Sequence, residues 1–212
     1  MSIQTARMTG ILLAGGKSRR MGEDKRFLKL DGQTLLERTL AVLETLFTDI
    51  VVVVAEPLPQ LAAGAHRVVV DLIPHCATLG GLYTGLSVAQ YPRSFVCACD
   101  MPLLNPAVIE HMAGLDQSAD VVMAQLANGL QPMHAIYSKA CAPFLERMAK
   151  ANNLKVQEIS LVPGLSVRLV PESELLDLDP RLLSFLNINT PADLEFARKL
   201  LAGRGAPHRG TA

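Results

Sequence analysis

The stretch GILLAGGKSRRMGEDKR, from Gly10 to Arg26, passes from an apolar run into two adjacent glycines and then into Lys17, Arg19, Arg20, Lys25 and Arg26, offset only by Glu23 and Asp24. Ala14, Gly15 and Gly16 carry no bulky side chain, so backbone N–H groups there can approach a ligand closely. The cations could balance a ligand bearing several negative charges. A solvated turn with surface cations would show the same charge run, and the run by itself favours that simpler explanation. Two phosphate loops fail by register. GKS at Gly16 to Ser18 would need glycine at position 11 to make the ATPase pattern G-x-x-x-x-G-K-[ST], and Ile11 stands there. The dinucleotide pattern G-x-G-x-x-G has no match at Gly15 and Gly16.

A pair of aspartates follows apolar runs. Asp100 lies in FVCACDMPLL, where Pro102 stops the strand, and Asp71 lies in VVVDLIP. Either aspartate alone reads more simply as a turn former or helix cap. On neighbouring strands beside a glycine loop they become candidates for holding a divalent cation, which one or two carboxylates and the substrate usually share where phosphoryl oxygens must be neutralised. The histidines, His66, His75, His111, His134 and His208, lack ligand spacing and take no catalytic role. Cys76, Cys97, Cys99 and Cys141 also lack paired metal-ligand spacing and read as small buried thiols, with Cys97 and Cys99 on one face of a strand.

Elements able to position these residues are legible around them. Met8 to Leu13, Ile50 to Val54, Val68 to Val70, Phe95 to Ala98, Val121 to Ala124 and Val167 to Val170 are short, apolar and mostly β-branched, as strands covered on both faces should be. Between the first two, Leu36, Leu40, Leu43 and Phe47 form the stripe of a helix over Leu35 to Phe47, opened by a Thr34 and Glu37 capping box. Further helices are expected over Gly81 to Ala89, from Asn105 and Pro106 to about Leu115, and from Thr190 and Pro191 onward. The alternation predicts a three-layer α/β/α domain with a mainly parallel sheet over residues 1–202, followed by a disordered tail over 203–212. In such sheets ligands bind at the carboxyl ends of strands, where both the glycine loop and the aspartates fall.

The chain has 212 residues, 50% of them hydrophobic, enough for a sizeable core. Its 20 lysines and arginines equal its 20 aspartates and glutamates, so no general pull on nucleic acid or anionic lipid follows and any anion site is local. No secretory h-region and no apolar run of about 18 residues is evident, which predicts a cytoplasmic protein with neither nucleic-acid nor membrane partners.

The string LLAGGKSRRMGEDK resembles, without gaps, the signature loop L-A-G-G-x-S-x-R-M-G-x-D-K of the molybdenum cofactor guanylyltransferases, a branch of the α/β nucleotidyltransferases. The resemblance implies a Rossmann-like fold of the nucleotide-diphospho-sugar transferase type. It further implies transfer of GMP from GTP to the terminal phosphate of the molybdenum-molybdopterin cofactor, giving molybdopterin guanine dinucleotide and pyrophosphate. On this reading Leu13, Ala14 and Gly15 cradle guanine and ribose, Gly16 keeps the approach open, and Arg19 and Lys25 hold the triphosphate. Gly15, where related cytidylyltransferases have alanine, favours guanine. The C-D-M-P segment resembles the family's metal-binding strand end, making Asp100 the Mg2+ ligand, with Mn2+ as a substitute, while Asp71 matches a nucleotide-contacting position. FLNINTPADLEFA is similar to the N-x-N-T-P-x-D/E-L segment, which implies that Asn189 completes the metal shell and Asn187 lies near the acceptor. Gln131 to Tyr137 resembles an acceptor-side strand, which would bring His134 to the pterin. Cofactor-insertion proteins or chaperones of target molybdoenzymes would receive the product. Departures are ATLGGL, Ala77 to Leu82, where many relatives have G-P-L-x-G-L, and Val54, where some carry a nucleotide-contacting asparagine. Competing expectations are a related cytidylyltransferase, a sugar-phosphate nucleotidyltransferase, and a nucleotide-binding domain without turnover.

Overall fold

The computed structural model describes residues 2–15, 24–61 and 64–204. Its main sheet is built from β1 (Thr9–Leu13), β4 (Asp49–Val54), β5 (Arg67–Val70), β6 (Arg93–Ala98), β7 (Val121–Leu126), β8 (Gly129–Ser138) and β9 (Val167–Pro171). A small hairpin, β2 (Lys29–Leu30) with β3 (Gln33–Thr34), lies apart from it. The order is β5-β4-β1-β6-β8-β7-β9, and only β8 runs against its neighbours. From β1 the chain moves outward through β4 to β5, then crosses back over β1 to β6. That reversal puts the ligand crevice of an open α/β sheet between the carboxyl ends of β1 and β6.

Strand residues alternate between two packed faces. Leu12, Val52, Phe95 and Ile136 point to the side covered by α1 (Leu35–Leu46) and α3 (Pro106–Gly114). Ile11, Val51, Val96 and Tyr137 point to the side covered by α2 (Ala77–Val88) and α4 (Ala142–Lys150). This is the expected three-layer arrangement, and every strand run read from sequence forms a strand within one or two residues of its expected bounds. The expected capping box opens α1: the Glu37 N–H donates to Thr34 Oγ1 at 3.1 Å and the Thr34 N–H donates to Glu37 Oε2 at 2.8 Å. Leu43 and Leu82, one on each face, are fully buried, and cutting either to alanine would cost about 2–5 kcal/mol.

The structure corrects the helix expected from Gly81, since α2 begins a turn earlier at Ala77. Its glycines are poor helix formers, but packing needs them: a Cβ on Gly85 would lie 2.6 Å from Ile11 Cγ2. α4 and the hairpin were not foreseen, while β8 contains the strand that the resemblance implied at Gln131 to Tyr137. The last helix, α5 (Pro191–Arg204), passes the expected boundary at Ala202, and residues 205–212 of the expected tail lie outside the described residues. Cys97 and Cys99 share one packed face, Cys141 is buried and Cys76 half-buried, and all four are unpaired. No helix among the described residues is long and apolar enough to cross a membrane.

The hairpin ties the early loop to the end of the chain. Asp31 and Gly32, both at positive φ, make its two-residue turn. Leu30 and Leu35 then pack with Ile188, Leu194 and Ala197 in a separate apolar cluster. This contact brings the segment at residues 25–30 beside the start of α5, so that Lys25 touches Asn189 across a sequence separation of 164 residues.

Candidate active site

A cleft of about 770 Å3 opens at the carboxyl ends of β1, β4, β5 and β6. Leu13 and Gly15 line it from the end of β1, Asp71 from β5, Asp100 from β6, and Ala77, Thr78 and Gly81 from the first turns of α2. Lys25, Asn187 and Asn189 close the other side. Gly15 leaves room: a Cβ there would stand 3.8 Å from the Ala55 nitrogen, in ordinary contact.

Three distant parts of the chain meet at Lys25. Its ammonium donates to Asp100 Oδ2 at 2.6 Å and to Asn189 Oδ1 at 3.0 Å, with the Ile188 carbonyl at 3.5 Å. The Lys25 and Asp100 side chains keep 17% and 18% of their surface accessible, enough to reach a ligand in the cleft. The Ile188 N–H donates to the Asp100 carbonyl at 2.8 Å, fixing the backbone that carries Asn189 against the end of β6. Asn189 is held from behind as well. Its N–H and that of Thr190 both donate to Asp193 Oδ2, at 2.9 and 2.8 Å, while the Asp193 N–H donates to Thr190 Oγ1 at 3.2 Å. Those N–H donors, with Asn189's first, keep the Asp193 carboxyl below the usual aspartate range. Thr190 is thus the cap foreseen from sequence, and it serves the site by anchoring its neighbour.

Asp71 does not join this group. The strand order places β5 three positions from β6, about 14 Å at the usual strand spacing, so the expectation of aspartates on neighbouring strands is corrected. One carboxylate oxygen of Asp71 braces its own loop, accepting from the Ile73 N–H at 3.0 Å and from Thr84 Oγ1 at 2.9 Å. The turn-forming role is therefore realised, on a residue that also lines the cleft opposite Asp100.

Ala14 does not line the cleft. It is fully buried, its N–H donates to the Val53 carbonyl at 2.8 Å and its carbonyl accepts from Arg26 Nη1 at 2.8 Å. Arg26, counted in the sequence among the loop's ligand-facing cations, is turned inward and only 3% exposed. It is paired with Asp24, whose hydrogen bonds hold the guanidinium's pKa above its ordinary value. Gly16 and Arg19 lie outside the described residues, as does Arg20, on which the motif's fixed arginine falls. Cys99 lines the cleft, but burial pushes its thiol up to about 12, so it stays protonated and is a poor nucleophile.

His134 is a further correction. It is fully buried between Phe95 and Phe185, with ring centroids at 5.0 and 4.4 Å, and neither ring nitrogen finds a hydrogen-bond partner. Burial lowers its pKa to about 4, and its neighbour Met133 faces the cleft in its place. Sequence reasoning missed Met133, His75 and Thr78 as lining residues. The departure at ATLGGL was the available signal, because Ala77 adopts φ 48° where the family pattern has glycine.

Comparison with known proteins bears on this arrangement. The MobA-like NTP transferase domain description matches residues 10–160. Molybdenum cofactor guanylyltransferase of Desulfosudis oleivorans is 36% identical over 200 residues, covering 93% of this chain and 98% of the relative. A probable molybdenum cofactor guanylyltransferase of Pelotomaculum thermopropionicum is 35% identical over 190 residues, covering 90% and 91%. Among solved structures, molybdopterin-guanine dinucleotide biosynthesis protein A of Archaeoglobus fulgidus superposes with a TM-score of 0.81 at 28% identity, over 92% of this chain and 100% of that one. Motif, strand-end geometry and relatives agree, and the chain belongs to the MobA-like NTP transferase family, in the branch whose curated members are named molybdenum cofactor guanylyltransferases.

Proposed function

We propose that the cleft transfers GMP from GTP to the terminal phosphate of the molybdenum-molybdopterin cofactor, releasing pyrophosphate. The observation that carries this reading is the convergence of Lys25, Asp100 and Asn189 beside Gly15 at the sheet's reversal point. In this reaction the acceptor's phosphate oxygen forms a bond to the α-phosphorus as the bond from that phosphorus to the β-phosphate's bridging oxygen breaks. A phosphomonoester is largely dianionic near neutral pH, so the nucleophile needs no protein base. Charge neutralisation and alignment carry such chemistry. That accounts for a site that shows no nucleophile–histidine pair among the described residues.

The residues fit a divalent cation. Asp100 and Asn189 present two hard oxygen donors to a single point, now taken by an ammonium, and oxygen sets of this kind suit Mg2+ or Mn2+. No group of three or more His, Cys, Asp or Glu side chains suited to a metal occurs among the described residues, so water and the triphosphate would supply the remaining ligands. Bound there, the ion would neutralise phosphate oxygens. Lys25 would hold the triphosphate with Arg19. Leu13 and Gly15 would face the nucleoside, Asp71 would contact it from the opposite wall, and Asn187 and Met133 would border the acceptor. The product would pass to cofactor-insertion proteins or molybdoenzyme chaperones in the cytoplasm.

Pyrophosphate release by purified protein with Mg2+ and molybdopterin cofactor tests the reading. Release is expected with GTP, and preferential use of CTP would overturn the base assignment.

A further inference from the structure

Of the two loop cations among the described residues, Lys25 faces the cleft and Arg26 does not. Arg26 Nε donates to Asp24 Oδ1 and Oδ2 at 2.8 and 3.0 Å, and Nη2 donates to Oδ2 as well. Asp24 Oδ1 also accepts from the Arg26 N–H at 3.1 Å, capping the short helical turn at Lys25–Phe27. The remaining arm, Nη1, reaches across to the Ala14 carbonyl at 2.8 Å. Burying a guanidinium is costly unless its donors are well matched, and here it sits directly beneath the backbone that precedes the cleft-lining Gly15.

Ala14 is thus held through both of its peptides. The Ala14 N–H is held by the Val53 carbonyl on the sheet, and the Ala14 carbonyl is held by Arg26. Across a trans peptide the carbonyl of one residue and the N–H of the next point in opposite directions. Fixing the Ala14 oxygen therefore fixes the direction of the Gly15 N–H, which has no backbone acceptor among the described residues.

We propose that Arg26 is a positioning residue that holds the Ala14 carbonyl inward so that the Gly15 N–H is aimed into the cleft as a donor to the nucleoside part of the nucleotide. The proposal rests on the reading of the cleft as a nucleotide site, and it separates Arg26 from the cations that face phosphate. Arg26→Met removes every side-chain donor, whereas Arg26→Lys keeps the charge without the fork that spans Asp24 and Ala14.

Equilibrium binding of GMP and of inorganic pyrophosphate to wild type, R26M and R26K is the test, alongside amide hydrogen exchange of the ligand-free proteins. R26M should bind GMP about 10-fold more weakly while its pyrophosphate affinity stays within about twofold of wild type, and R26K should fall nearer R26M than wild type. The Ala14 amide should exchange about 10-fold faster in R26M, with the Ile11 amide unchanged, a readout that holds whatever nucleotide the cleft takes. Parallel loss of GMP and pyrophosphate would make Arg26 a phosphate contact, and a lower Tm with unchanged binding and Ala14 exchange would make it a fold residue; either overturns the proposal. If R26M does not fold, R26K decides by the same criteria. A wild type that binds pyrophosphate but not GMP would sink the nucleotide reading while the exchange result still judged Arg26.

Discussion

Replacing Lys25 with methionine removes an ammonium that Asp100 and Asn189 share at 2.6 and 3.0 Å. Opposite unit charges 2.6 Å apart attract by about 1.6 kcal/mol in a medium as polar as water and by about 6 kcal/mol at an effective dielectric near 20. Both side chains remain in partial contact with solvent, so the lower figure, discounted for screening to roughly 1.4 kcal/mol, is the appropriate one. In nucleotide-free protein this ammonium would compete with a divalent cation held by the same two oxygens, as proposed above. K25M should therefore bind Mn2+ about tenfold more tightly than wild type, read as loss of the free-ion electron paramagnetic resonance signal during titration. The same variant should lose roughly 10²–10³ in GTP turnover, the usual cost of deleting a positioned electrostatic contact to the reacting phosphates. Opposite movement of the two quantities is the signature. Unchanged or weaker Mn2+ binding in K25M would refute the placement of the cation between Asp100 and Asn189.

Other consequences concern the frame around the site. Asp49 is buried at the start of β4, and although burial pushes its carboxyl upward, donors from Thr9, Gln90 and Arg67 hold it below the ordinary aspartate value. Its contribution is thus complete above that ordinary value and lost as pH falls through the lowered pKa: D49N should reduce Tm by about 4–8 °C at pH 7 (about 2 kcal/mol), with the gap to wild type narrowing below about pH 4. A gap that stays constant from about pH 7 to about pH 3 would contradict this. Ala77→Gly relieves a positive φ worth about 1 kcal/mol and should raise Tm by about 2–4 °C in calorimetry. His134→Leu removes two unpartnered ring nitrogens from the core and should leave GTP turnover within about twofold of wild type without lowering Tm; a large loss of turnover would restore a role at the acceptor.

What could be read from the sequence was local. The Thr34 and Glu37 box, the Asn105 cap and the apolar strand runs each depend on residues within a few positions of one another, so their chemistry is visible before folding. The start of α2 was hidden because Gly80 and Gly81 side by side look like helix breakers, and only tertiary packing explains Gly80, where a Cβ would lie 2.8 Å from Asp71 Oδ2 and from the Ile73 carbonyl. β8 was legible only through the family resemblance at Gln131 to Tyr137, because Gln131, Pro132 and His134 interrupt the apolar pattern of a strand. Pro132 falls where the register against β7 shifts, and His134 packs between the Phe95 and Phe185 rings. Lys25, Asp100 and Asn189 were singled out through the family motifs and do meet in the structure, yet their meeting depends on the hairpin packing against α5, which no short window reveals. Strand order likewise separated Asp71 from Asp100, and nothing in its residue type distinguished Arg26, turned inward, from Lys25, turned outward.

The central claim is that this strand-end cleft performs the transfer. Mass analysis of the cofactor after incubation with GTP and Mg2+ tests it most directly. Wild type should yield an adduct heavier by one GMP unit, and D100A, with unchanged circular dichroism, should yield none. Adduct formed equally by D100A, or none formed by wild type, would contradict the account.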